Sequence, residues 1–249
     1  DAPGVEIHRA AALCEPCFYF VFEGYAMIYT TASQAGMVVA ALPLAVVVAA
    51  WLLLGERPHR RVWIGFVLAV AGVVWLSAGS EATESAPNPI FGNFLEVLAM
   101  LCGALYVVCA KQLSSRCSPV LITTMQSLVG LLFFMCLLPL PGVKLPDSFP
   151  LLPTLAILYL GVGVTMLSFL LYNFAVRSVP ASRTGAFLNL VPVLTLFMGL
   201  VFLDERLTAG QWAASALVLG GVIFSQWKTA QPEEKTGPSA AASISEGAE

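Results

Sequence analysis

The sequence predicts an all-α integral membrane protein: eight transmembrane helices in this chain, from a ten-helix fold of two inverted-topology five-helix repeats. Three observations carry this reading. Of 249 residues, 58% are hydrophobic and only 11% charged, against about 25% charged in globular domains. Eight apolar stretches approach the roughly 20 residues that a helix needs to cross the hydrocarbon core. One segment recurs 149 residues later with a proline, a tryptophan and a Glu-Arg pair in register. Twelve Lys and Arg against fifteen Asp and Glu, a net charge of −3, leave no basic surplus for a phosphate backbone, so nucleic acid is not an expected partner. The six cysteines mostly fall in or beside apolar stretches, which reads as reduced thiols rather than a secreted disulfide framework.

The spans follow in order, separated by Pro, Gly or charge. The first, 10–29, is the weakest, because Glu15, Pro16 and Glu23 interrupt it. The second, 32–54, is free of charge throughout. Spans at 62–79, 91–110, 119–140, 151–176, 181–203 and 211–227 complete the set. Residues 80–90 read as an extracytoplasmic linker, and 228–249, rich in Pro, Ser, Ala and Glu, as a disordered cytoplasmic tail. Eight spans sort the loops onto two faces. One face collects Arg9, Arg57, Arg60, Arg61, Lys111, Arg116, Arg177, Arg183, Lys228 and Lys235, and the other only Lys144 and Arg206. The positive-inside rule then puts both ends of the chain in the cytoplasm, in a plasma (inner) membrane.

Residues 26–73 align without a gap on 175–222. Ala32-Ser33 meets Ala181-Ser182, Gly36 meets Gly185, Pro43 meets Pro192, Glu56-Arg57 meets Glu205-Arg206, Trp63 meets Trp212, and Gly72-Val73 meets Gly221-Val222. The second copy starts five spans after the first, an odd number, so the copies cross the bilayer in opposite senses. Inverted repeats of this kind recur in secondary transporters, where two halves enclose a midplane site. Three spans precede the second copy and one precedes the first. The expectation is therefore a first repeat over 1–79 that lacks two N-terminal spans, and a complete second repeat over 91–227.

The segment YTTASQAGMVVAALPLAVVVAAWLLLGERPHRRVWIGFVLAVAGVVWLS and its echo SVPASRTGAFLNLVPVLTLFMGLVFLDERLTAGQWAASALVLGGVIFS resemble the EamA-domain branch of the drug/metabolite transporter superfamily, in its ten-span form. The Ala-Ser pair, the mid-helix proline and the Gly-Glu-Arg or Asp-Glu-Arg ending carry the resemblance. It implies carriage of small solutes such as amino acids, nucleosides, sugars and drugs. It also implies that the spans 62–79 and 211–227 pack together, away from substrate.

Two carboxylates inside the first span demand a reason, since an ionised group near the bilayer centre costs at least about 2.5 kcal/mol. On a uniform helix Glu15, Tyr19 and Glu23 form one stripe at i, i+4 and i+8. Glu23 is the expected proton-coupling or cation-binding group, whereas Glu15 lies near enough to the cytoplasmic end for Arg9 or water to satisfy it. Glu96, Tyr106, Thr165, Ser168 and Asn189 are candidate cavity-liners, with Gln126, Ser127, Tyr172 and Asn173 extending the set toward the cytoplasm. Taken singly, each reads first as an interhelical hydrogen-bonding group and only second as a ligand. Pro43 and Pro192 each remove a backbone donor at similar depth, as hinges or as packing kinks. Gly36, Gly185, Gly72 and Gly221 are expected to let helices approach closely. Glu56-Arg57 and Glu205-Arg206 read as helix-end caps, the Glu on local donors, or as gate charges. The Cys14-x-x-Cys17 match lacks the surroundings of a redox site.

These residues point to a secondary transporter of small metabolites, amino-acid-like or drug-like and exported, with a small-molecule substrate, protons and the lipid bilayer as partners. No cofactor or metal is expected, and no enzyme: His8 and His59 lie in loops, and no H-E-x-x-H or Ser-His pair occurs. A non-transporting membrane scaffold or partner subunit is the first alternative, and an enzyme acting within the bilayer the last.

Overall fold

The computed structural model describes residues 14–114, 117–140, 148–178 and 190–226. Their regular structure is helical, and their one β feature is an isolated bridge between Thr83 and Ala86. A π-helical turn, Cys14–Tyr19, leads into α1 (Phe20–Tyr29). α2 (Ala32–Val39) and α3 (Leu42–Leu54) share one span, and α4 (Arg60–Ala78), α5 (Pro89–Ser114) and α6 (Pro119–Leu137) follow. α7 (Leu151–Leu158) continues through a π-helical stretch, Tyr159–Leu167, into α8 (Ser168–Ser178), and α9 (Leu190–Phe202) and α10 (Ala209–Gln226) close the described chain.

Five helical stretches are long and apolar enough to cross a membrane: Ala32–Leu54, Arg60–Ala78, Pro89–Leu113, Pro119–Leu137 and Leu151–Ala175. The first expected span is diluted by its carboxylates. The last carries Gln211, Ser215 and Ser225, all buried against protein. That is why its hydropathy understates it.

Local chemistry sets the irregularities. Pro16 sits inside the opening π turn, where the wider coil accommodates a residue with no N–H. The first expected span is therefore not a uniform α-helix. Pro43 interrupts the second. α2 stops at Val39, Ala41 donates to Val38 O at 3.0 Å in a tightened turn, and α3 restarts with Pro43 in its first turn. A first-turn proline loses nothing, because its N–H has no intrahelical partner in any case. α3 ends on Gly55 at φ 69°, a left-handed residue whose missing Cβ makes that conformation easy. At the matching position after α9, Asp204 takes φ 51°.

α5 is the hub, touching α1, α2, α3, α4, α6 and α8. It runs antiparallel to α1: a Cβ on Gly92 would lie 2.7 Å from the Thr30 Cβ, and one on Gly103 would lie 3.6 Å from the Tyr19 ring. The broadest contact joins α4 to α10. There a Cβ on Gly221 would come within 2.7 Å of Gly65 O and 3.0 Å of Ala69 N, and one on Gly72 within 3.0 Å of Ala214 O. Backbones touch because only hydrogen separates them, which replaces the hydrophobic drive that lipid cannot supply. Gly36 plays the same part between α2 and α9, where its Cβ would fall 2.7 Å from the Thr195 Cβ.

Candidate functional site

Three groups of polar side chains lie at three depths. The first sits between α1 and α5. Tyr19 donates from Oη to Glu23 Oε1 at 3.0 Å, one α-helical turn along. With Gly92 against Thr30 and Gly103 against Tyr19, the α5 turn bearing Glu96 lies beside the α1 turn bearing Glu23 and Ala26. Glu96 is 1% exposed, its Oε2 has no hydrogen-bond partner, and it lies within electrostatic reach of Glu23. Glu15 is buried at the start of the same span.

The second group borders a cavity of about 300 Å³ at the Leu113 end of α5. Pro16, Tyr106, Leu113, Met125, Gln126 and Val129 are among its walls. Tyr106 Oη donates to Gln126 Oε1 at 2.9 Å and lies 3.4 Å from Asn173 Oδ1. Asn173 Nδ2 donates to Thr123 Oγ1 at 3.0 Å, and Thr123 Oγ1 donates to Pro119 O at 3.0 Å. The chain of bonds fixes α5, α6 and α8 relative to one another, and the surrounding wall is apolar.

The third group closes the opposite end of the molecule. Asn93 Nδ2 donates to Gln34 Oε1 at 3.0 Å and to Ser77 Oγ at 3.1 Å, while Thr30 Oγ1 donates to Asn93 Oδ1 at 2.7 Å. Ser80 Oγ lies 2.9 Å from Gln34 Oε1 and donates to Leu76 O at 2.6 Å, and Gln211 Nε2 donates to Ser80 Oγ at 3.3 Å. Gln34, Thr30, Asn93 and Gln211 are all buried. Beside them Glu205 caps α2: Ala32 N donates to its Oε1 at 3.0 Å and Ser33 N to its Oε2 at 2.9 Å. A carboxylate taking both of the first amides meets unpaired donors and the positive end of the helix dipole at once. The expectation of local donors for this glutamate is corrected, since its partners lie 173 and 172 residues earlier.

The structure thus brings Tyr19, Glu23 and Glu96 together, and Tyr106, Gln126 and Asn173 together. Thr165 and Ser168 lie elsewhere: Thr165 Oγ1 donates to Leu160 O of its own π-helical stretch at 2.8 Å, and Ser168 is exposed. Ser127 is exposed too, and Tyr172 is half-buried. Pro192 is buried within α9. Asn189 and Gly185 lie outside the described residues. Sequence reasoning overlooked Thr30, Gln34, Ser77, Ser80, Asn93, Thr123 and Gln211. The available signal was an amide, Gln34 or Asn93, near the end of an otherwise apolar span.

Comparison with known proteins decides the family. The model of the EamA-like transporter family matches residues 10–78 and 90–227. The chain belongs to the EamA-like transporter family. Among its EamA relatives is "Uncharacterized transporter YetK" of Bacillus subtilis (strain 168), 32% identical over 220 residues, or 85% of this chain and 67% of that one. "Uncharacterized transporter YcxC" of the same organism is 29% identical over 86% of this chain and 70% of its own. A "Probable terminal-alkyne amino-acid exporter" of Streptantibioticus cattleyicolor is 25% identical over 85% of this chain and 69% of its own. One solved crystal structure superposes with a TM-score of 0.59 at 21% identity, covering 90% of this chain and 76% of that one, a likeness of fold. As an EamA family protein with several membrane-length apolar helices, the chain is a multi-pass membrane transporter.

Proposed function

We propose that the protein is a secondary transporter that exports small amino-acid-like or drug-like solutes across the plasma (inner) membrane by alternating access between two inverted repeats, residues 1–79 and 91–227. The observation that carries this reading is an asymmetry along the molecule. Among the described residues, the Glu205 end is tied by buried and part-buried polar bonds among five helices, while the Leu113 end holds a cavity. A carrier caught open to one side has this form. With the basic loop Arg57, Arg60 and Arg61 cytoplasmic, the cavity faces the cytoplasm.

The repeat is supported by the α4–α10 contact. Shifting each residue by 149 positions turns the Gly65–Gly221 approach into Ala214–Gly72, and turns Ala69–Gly221 into Val218–Gly72; both mates occur. A contact that maps onto itself is what a two-fold axis between the helices requires. The left-handed residues Gly55 and Asp204, also 149 apart, add a backbone counterpart.

Glu23, held by Tyr19 and facing Glu96, is the coupling group in this reading. The test is solute flux in proteoliposomes loaded with an amino-acid and metabolite mixture, with and without a pH gradient. Gradient-driven flux that Glu23→Gln abolishes is expected. Flux indifferent to both gradient and substitution removes proton coupling, and absence of any flux removes the transporter reading itself.

A further inference from the structure

The cavity wall is apolar apart from a few groups, and one of those is not satisfied. Gln126 is 8% exposed, and its Nε2 is buried without a hydrogen-bond partner. Buried amide donors in native structures almost always find partners, because leaving one unpaired costs free energy. The other end of the amide, Oε1, is taken by Tyr106. Thr123 gives its proton to Pro119 O, so it accepts from Asn173 Nδ2 and leaves Asn173 Oδ1 turned toward Tyr106. Tyr106 Oη donates to Gln126 Oε1 at 2.9 Å and lies 3.4 Å from Asn173 Oδ1. Nε2 is then the end with protons to offer, and Gln126 lines an apolar space of about 300 Å³. That size falls at the lower end of small-molecule sites, which pair apolar walls with a few placed polar groups.

We propose, resting on the transporter reading above, that Gln126 reads the solute: its Nε2 donates to a carboxylate or carboxamide oxygen while Leu113, Met125 and Val129 enclose a branched hydrocarbon body. Tyr106 is a positioning residue, holding the amide through Oε1. A site built around a hydrogen bond rejects an analogue that lacks the acceptor far more strongly than an apolar pocket rejects a changed methyl group.

The test uses the protein in lipid nanodiscs with tritiated L-leucine as probe, competed by L-leucinamide and by 3-methylbutylamine, which is leucine without its carboxyl group. Wild-type protein is expected to prefer leucine over 3-methylbutylamine by at least about tenfold, as a hydrogen bond to a charged acceptor provides. Leucinamide level with leucine marks a carboxamide or carbonyl reader, and leucinamide well below it a carboxylate reader. Gln126→Leu is expected to erase the preference by weakening leucine while leaving 3-methylbutylamine unchanged. Tyr106→Phe is expected to reduce the same preference with the Gln126 amide intact, which covers the case in which Gln126→Leu does not fold. Leucine affinity unmoved in both variants, equal weakening of both probes, or no leucine binding by the wild type overturns the assignment. If other solutes still cross proteoliposomes in those cases, the transporter reading stands without it.

Discussion

Single residues at the two matching helix ends carry unequal strain. Gly55 and Asp204 both adopt a left-handed backbone, at φ 69° and 51°, yet only the aspartate has a Cβ to crowd there. An L-residue there costs about 1 kcal/mol, less for Asp than for a branched side chain. Asp204→Gly is therefore expected to raise the apparent melting temperature in detergent, and Gly55→Ala to lower it by a comparable free energy, about 1 kcal/mol. Circular dichroism melts of the two variants beside wild type check both signs. An Asp204→Gly variant less stable than wild type shows instead that the aspartate side chain contributes more than its backbone costs. The Gly-Glu-Arg and Asp-Glu-Arg matches were visible in sequence as the ends of matching helices. That Glu205 reaches back to Ala32 and Ser33 was not, because a cap supplied from 173 residues away leaves no local spacing to read.

At the scale of elements, α2 is short and depends on its neighbours. It has eight residues, is separated from α3 by two residues, and contains Gly36, so its own propensity does not hold it in place. Glu205 supplies the N-terminal acceptors and α9 supplies the packing face. Removing the carboxylate charge with Glu205→Gln is expected to cost about 1–2 kcal/mol at that end, the range for loss of a cap with its dipole interaction. Hydrogen exchange read by mass spectrometry then shows the 30–39 peptide exchanging about tenfold faster, with peptides from α4 and α10 unchanged. Equal protection in wild type and variant means that packing against α9 alone holds the helix. Apolar length made the spans legible, and Pro43 marked where the second one breaks. The π-helical stretches were not legible, since Pro16 and the Gly161-x-Gly163 pattern lower α-helix propensity without naming the alternative.

For the whole molecule, the two ends have opposite character, and the proposed alternating access would have them exchange it. Of the candidate residues read from sequence, the charges in the first span were apparent because a carboxylate in lipid is conspicuous. The sealed end was hidden because Thr30, Gln34, Ser77, Ser80, Asn93 and Gln211 come from five helices whose convergence no local pattern encodes. If Glu205 and that network hold one end shut, weakening them shifts the population toward the state open at that end, by about tenfold for each 1.4 kcal/mol removed. Two cysteines report the two ends. Cys117 lines the cavity, and Ser33, 0% exposed beside Glu205, marks the seal when changed by Ser33→Cys. In proteins carrying only one or the other, a membrane-impermeant maleimide is expected to label Cys117 readily and position 33 slowly. Adding Glu205→Gln is expected to slow labelling at Cys117 and speed it at position 33. That reciprocal change is the signature of one body rocking about the α4–α10 contact. Faster labelling at both positions reports local loosening instead, and leaves the seal as a structural bond with no share in the transport cycle.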